Sequence, residues 1–210
     1  MANFTPRQIE TLSAINTADS LFQQLGYSPA KEFMTGLAAA ESNLGKEISP
    51  VSYSPFQIDP IRYQDISERG QGGSAKERAD IANKFLQNQG YGEDFDILCL
   101  SKSMNVARNP LIGALLTRMG LASIPEKIPS DAEGQAGYWK KHWNSYAKNA
   151  KGTTQHFLSQ KQIYDKLLDE KAHEGTILAE VGEDDNILSS LLEEYKSDFA
   201  AIPESTRTIY

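Results

Sequence analysis

Ser28-Pro29-Ala30-Lys31-Glu32-Phe33-Met34-Thr35-Gly36-Leu37-Ala38-Ala39-Ala40-Glu41-Ser42-Asn43-Leu44-Gly45 is the stretch on which the fold turns. Ser28 is of a helix-capping type, and Phe33, Met34, Leu37, Ala38 and Glu41 recur at three- and four-residue steps until Gly45 stops the run. A mostly buried helix is expected, with Glu41 in its last turns. The five residues before Glu41, Gly36-Leu37-Ala38-Ala39-Ala40, contain no base to compensate a carboxylate. A carboxyl group in such surroundings loses hydration, and this favours its protonated form. The plain alternative is a solvated surface glutamate near a helix end.

The flanking sequence continues in helices. Upstream, Thr5-Pro6 supplies a cap and first-turn pair for an amphipathic helix carrying Ile9, Leu12, Ile15, Ala18, Phe22 and Leu25, broken by Gly26-Tyr27-Ser28-Pro29. Downstream, residues 48–63 turn irregular, with Pro50, Pro55 and Pro60 five apart and Tyr53, Phe56 and Tyr63 among them, and read as a loop lining a site. After the flexible turn Gly70-Gln71-Gly72-Gly73, Ser74 begins a helix with Ala79, Ile81, Ala82, Phe85 and Leu86 that stops at Gly90-Tyr91-Gly92. Asn109-Pro110 opens a further one, whose Leu111, Ile112, Leu115, Leu116 and Met119 give the apolar surface of a central core helix, with Gly120 as its end. A linker over 122–130 leads to Asp131–Tyr146, which gathers Tyr138, Trp139, Trp143 and Tyr146. No strand run, repeat or low-complexity tract stands out, so the fold class is all-α.

At 210 residues the chain suits one well-cored domain with an appendage. Its net charge of -7 is concentrated: residues 159–210 hold 12 acidic and 5 basic side chains, while the two signs balance over 1–158. The division expected is therefore a domain over 1–158 and an acidic helical tail over 159–210, with helices near 159–172 and 186–200. The tail is either a solvated appendage or a docking arm for a basic partner. Its stripe of Ile187, Leu188, Leu191, Leu192 and Tyr195 is too short for a coiled coil and could fold back on the domain or pack on neighbouring subunits. No apolar run approaches the roughly 20 residues of a membrane-spanning helix, and Met1–Pro6 carries no export pattern. Cys99, in Asp96-Ile97-Leu98-Cys99-Leu100, reads as a small buried apolar side chain.

Two motifs then point to chemistry. Glu41-Ser42-Asn43-Leu44-Gly45, followed by Ser52-Tyr53-Ser54-Pro55-Phe56-Gln57-Ile58, resembles the linked Glu-Ser and Gly-Leu-Met-Gln elements of the lytic transglycosylases and goose-type lysozymes. His142-Trp143-Asn144-Ser145, with Lys151-Gly152-Thr153 beyond it, echoes that family's Ala-Tyr-Asn-Ala-Gly segment, and the run from Gly137 to Asn144 looks like segments of phage virion-associated muramidases. The resemblance spans residues 30–158 and departs from the pattern at Pro55. It implies a lysozyme-like helical domain that cleaves the MurNAc-GlcNAc bonds of bacterial peptidoglycan with Glu41 as acid and base. It further implies that Ser42, Tyr53, Phe56, Gln57, Tyr138, Trp143 and Asn144 contact or frame the sugar, with no metal or cofactor. Such a protein would be carried in a virion, or held in the host cytoplasm before release, and would act in the cell wall or periplasm.

The product implied is a 1,6-anhydro sugar, since one carboxyl serves both steps. A conventional glycosidase would need a second carboxylate, for which Glu47, Asp59 and Asp65 are candidates without a motif of their own. His142, His156 and His173 lack zinc-site spacing. Lys140-Lys141-His142 with Lys148 and Lys151 forms a basic patch, yet the acidic chain lacks the field of a nucleic-acid binder. Trp139 and Trp143 are either core or sugar-stacking residues. Two rivals to the glycan-cleaving reading are a structural virion protein docked through its tail and an enzyme of the same fold that cuts peptide cross-links.

Overall fold

The computed structural model describes residues 4–48, 53–69, 74–102, 104–145 and 152–173. Seven α-helices run through them in order: α1 (Pro6–Gln24), α2 (Lys31–Ser42), α3 (Pro60–Arg69), α4 (Ser74–Asn88), α5 (Pro110–Ala122), α6 (Ala132–His142) and α7 (Thr154–His173). Two 3-10 turns, Ile97–Lys102 and Met104–Arg108, join α4 to α5. Among the described residues there is no strand, and the fold class they show is all-α. No described helix is long and apolar enough to cross a membrane.

α5 is the central element. Asn109 caps it through Leu111 N–H at 2.9 Å, Pro110 sets its first turn, and every residue from Ile112 to Leu121 is buried. α1 lies along it, with α3 and α4 against it, while α2 packs on α7 and α6 on α7. Each fully buried Leu or Phe in this assembly contributes about 1.5–3 kcal/mol by leaving water. Gly120 does not end α5, which runs on to Ala122; its missing Cβ admits Ile66 of α3, whose Cδ1 would stand 3.2 Å from that carbon.

α1 starts as its sequence suggests, with a capping box between Thr5 and Gln8. Its inward face is more polar than the spacing of Ile9, Leu12 and Ile15 implies. Ile9 is exposed, whereas Gln8, Thr11 and Asp19 are buried. The cause is Asp19, whose carboxylate accepts Ala30 N–H at 2.9 Å and Lys31 N–H at 3.1 Å and so satisfies the free donors at the start of α2. Ser28 is therefore not the cap: the N-cap is Ala30, and the Ser28 carbonyl accepts from Arg118 instead. Arg118 of α5 closes the arrangement with a 3.0 Å ion pair to Asp19, both side chains being at most 3 % exposed.

Two elements depart from the sequence reading. Residues 60–63, expected in a loop, begin α3, because Asp59 Oδ1 accepts Arg62 N–H at 2.7 Å and Pro60 needs no donor at a first turn. The boundary expected at 158 falls inside α7, whose Phe157, Lys161 and Tyr164 are buried against the rest. Glycine at 36 makes this packing possible, since a Cβ there would lie 2.8 Å from Phe157 Cζ. The packing thus continues past 158 to Tyr164 and Leu167, and the helix expected near 186–200 lies outside the described residues. Cys99 is exposed, not buried, and its thiol donates to Asp96 Oδ2 at 3.0 Å.

Candidate active site

Glu41 occupies the last turn of α2 and is half-buried. Beyond it the chain reverses through three consecutive left-handed residues, Asn43 (φ 55°), Leu44 (φ 54°) and Gly45 (φ 84°). Leucine in this region costs about 1–3 kcal/mol, and the complete burial of Leu44 offsets that strain. At Gly45 glycine is required twice, by its φ and because a Cβ would sit 2.8 Å from Thr11 Oγ1. Gln8 of α1 donates to the Asn43 carbonyl at 3.2 Å, and Tyr164 of α7 bonds the Asn43 side chain, so the turn behind Glu41 is held from both sides.

The loop over 53–58 is fastened to the same helix end. Ser42 Oγ–H donates to the Pro55 carbonyl at 2.5 Å and accepts Gly45 N–H at 2.7 Å. Ser54 Oγ accepts Phe56 N–H at 3.1 Å and packs where Gly113 of α5 has no side chain. Gln57 then takes a positive φ of 52°, half-buried between the buried Phe56 and Ile58, and its amide reaches toward the Glu47 carbonyl at 3.4 Å.

α6 supplies the groups that meet the carboxyl. Trp139 is 1 % exposed, and its indole N–H donates to Glu41 Oε1 at 2.8 Å. The Asn144 side chain, in the turn that follows α6, lies near enough to Glu41 to favour its carboxylate form. Burial pushes the Glu41 carboxyl above its ordinary value of 4.5, opposed by the Trp139 hydrogen bond and by the electrostatic influence of Asn144, His156 and Arg62. His156 stands at the start of α7 with Nε2 2.9 Å from the Ala40 carbonyl. Arg62 lies 4.4 Å from the Trp143 ring centroid and donates to the His142 and Trp143 carbonyls, both at 2.9 Å. A carboxyl so placed can hold a proton and give it up, while one of its oxygens is fixed by a buried N–H donor.

No protein-family model, curated protein or solved structure matches this chain. The assignment of roles therefore rests on the geometry and on the motifs.

Of the residues expected at the sugar, Asn144 lies near Glu41, and Gln57 and Tyr53 are half-buried on the loop that Ser42 ties to the same helix end. Four others are buried. Ser42 is 3 % exposed and joins α2 to the loop. Phe56 is in the core, with its carbonyl accepting the Trp143 indole N–H at 3.0 Å. Trp143 is buried beneath Arg62, and Tyr138 is buried edge-on against Phe33 with ring centroids 5.2 Å apart. Burial also pushes the Tyr138 phenol up to about 12.

Trp139 was the residue the motifs missed. It stands four before Trp143 on the same face of α6, and the residue type at that spacing was the available signal. Spacing does not say which indole turns to Glu41 and which to Phe56.

Of the candidate second carboxylates, Glu47 accepts from Asn43 Nδ2 at 3.0 Å, Asp59 caps α3, and Asp65 is half-buried on α3. Of the basic patch, Lys141 and His142 pair with Glu126, and Lys148 and Lys151 lie outside the described residues. Among the described residues no group of three His, Cys, Asp or Glu side chains is arranged to hold a metal ion.

Proposed function

We propose that this chain cleaves the glycosidic bond between MurNAc and GlcNAc in peptidoglycan, with Glu41 as general acid and then general base. The observation that carries the reading is the half-buried Glu41 carboxyl at the end of α2, raised by burial, with Oε1 bound to the Trp139 indole. The peptidoglycan substrate rests on the Glu41-Ser42 and Gln57 motifs and their resemblance to the lytic transglycosylases, as does a lysozyme-like arrangement of the helices.

In the first step protonated Glu41 gives its proton to the bridging oxygen, the C1–O bond breaks, and positive charge develops at C1 of the muramic acid. In the second, the Glu41 carboxylate takes the proton of the same sugar's 6-hydroxyl, whose oxygen bonds to C1 and closes a 1,6-anhydro ring. Glu41 ends as it began, and no water is consumed. A single-carboxyl route is favoured because the charges that bear on Glu41 come from His156 and Arg62, with no carboxylate among them. The Trp139 and Asn144 donors stabilise the carboxylate left after the first proton transfer, and burial then restores its affinity for the second proton. Gln57 and Tyr53, partly exposed, would hydrogen-bond or stack on the flanking sugars. Delivery in a phage virion or release from the host cytoplasm would bring the chain to the wall.

Mass spectrometry of purified sacculi digested with the chain tests the reading. Anhydromuropeptides are expected. Reducing muramic acid ends would make it a hydrolase instead, new amino termini a peptidase, and no released fragment would overturn it.

A further inference from the structure

Lys140 directly follows Trp139 on α6 and is half-buried. Its ammonium donates to Asn144 Oδ1 at 3.0 Å, to the Asn144 carbonyl at 3.4 Å and to the Gly152 carbonyl at 2.7 Å. It therefore bridges the turn after α6 to the segment that leads into α7. The Asn144 amide lies flat against Gly152: a Cβ on that glycine would stand 2.8 Å from Nδ2 and 2.9 Å from Oδ1.

An asparagine amide has an acceptor end and a donor end of almost the same shape, and only its partners decide which points where. With a cation on Oδ1, the end that remains for Glu41 is Nδ2, a donor. In the reversed orientation, Nδ2 would face the ammonium, donor against donor, and Oδ1 would face the carboxylate, acceptor against acceptor. We propose that Lys140 is a positioning residue for Glu41, fixing the Asn144 amide so that its N–H serves the carboxyl, while Lys140 itself touches neither Glu41 nor substrate. The basic side chains that bear on Glu41 directly are His156 from α7 and Arg62 from α3, and Lys140 acts through the amide. The effect on turnover rests on the function proposed above; the effect on Glu41 itself does not.

The test is the carboxyl carbon resonance of Glu41 followed by NMR through a pH titration of the full chain. Lys140→Met keeps the aliphatic stem and is expected to raise the Glu41 midpoint in the same direction as Asn144→Ala. The double variant should sit where Asn144→Ala sits, since the two changes remove one interaction, and Lys140→Arg should hold the wild-type midpoint. An unchanged midpoint in Lys140→Met would overturn the proposal. So would a double variant that moves clearly beyond Asn144→Ala, which would mean that Lys140 acts by bare charge. A second measurement needs no variant: in the wild type, the Asn144 side-chain N–H resonances should shift through the Glu41 titration, and a silent amide would overturn the orientation claimed. If no variant or wild type releases muropeptides, the function fails while these titrations still decide the role of Lys140.

Discussion

Alanine at position 152 is the substitution that presses most directly on the site without touching Glu41. A Cβ there would overlap Trp139 Cη2 and lie 2.8 Å and 2.9 Å from the two side-chain heads of Asn144. Ordinary contacts are about 3.5–4.0 Å, so something must give by about 1 Å. The indole has little room to retreat, being 1 % exposed with Phe157 at a centroid distance of 5.5 Å. If it does move, its 2.8 Å bond to Glu41 Oε1 stretches beyond the roughly 3.2 Å limit of a good N–H donor. If the Gly152 backbone yields instead, the 2.7 Å bond from Lys140 lengthens and the Asn144 amide is released.

Overpacking of this kind costs about 1–3 kcal/mol. For a chain of this size that corresponds to a melting temperature lower by about 2–12 °C. A misplacement near 1 Å at a catalytic carboxyl reduces turnover by about 100-fold. Both are measurable, by calorimetry and by release of soluble fragments from sacculi. Because the chain has two tryptophans, one of the two indole N–H resonances should also shift strongly. A Gly152→Ala protein with wild-type melting, wild-type release and unmoved indole resonances would refute the packing described around Trp139.

Replacing Glu41 by Gln should stabilise the protein at neutral pH. A carboxyl raised in the folded state contributes stability that is complete below its ordinary value of 4.5 and is lost as pH rises through the folded value. The variant should therefore melt higher than wild type at pH 7 and no higher at pH 3; a constant difference across that range would contradict the burial of Glu41. Arg118→Met leaves the Asp19 carboxylate buried without its cation, at about 3–5 kcal/mol, and should lower the melting temperature by about 6–20 °C; loss of only a degree or two would show that the pair is not buried. A chain cut after residue 158 loses Lys161 and Tyr164 from the face of α2 and should show no cooperative melting transition, whereas one that melts like wild type would place α7 outside the folded unit.

Helix starts that rest on local chemistry were legible in the sequence. Thr5-Pro6 and Asn109-Pro110 act through their own side chains on the next turn, and the structure has helices at both. α2 was legible in its apolar spacing but not in its start, because its cap comes from Asp19, eleven and twelve residues upstream. α3 was hidden because three evenly spaced prolines suggested a loop, although Asp59-Pro60 is a good opening for a helix. That α7 runs across residue 158 was hidden for a physical reason as well. Charge totals over 159–210 describe the average of a long segment, whereas docking of α7 depends on its single buried face at Phe157, Lys161 and Tyr164. The partial burial of Glu41 at the end of α2 was legible from the base-free apolar residues that precede it. The exchange of roles between Trp139 and Trp143 was not, since residues four apart on a helix share a face and their rotation toward different partners is set by the elements packed around them.

The central claim is that the Glu41 carboxyl breaks glycan strands. Wild type and Glu41→Gln, both confirmed as folded by melting, should be incubated with purified sacculi and the soluble products identified by mass spectrometry. The account predicts 1,6-anhydromuropeptides from the wild type and none above background from Glu41→Gln. Equal release by the two proteins, or release of none by the wild type, would contradict it.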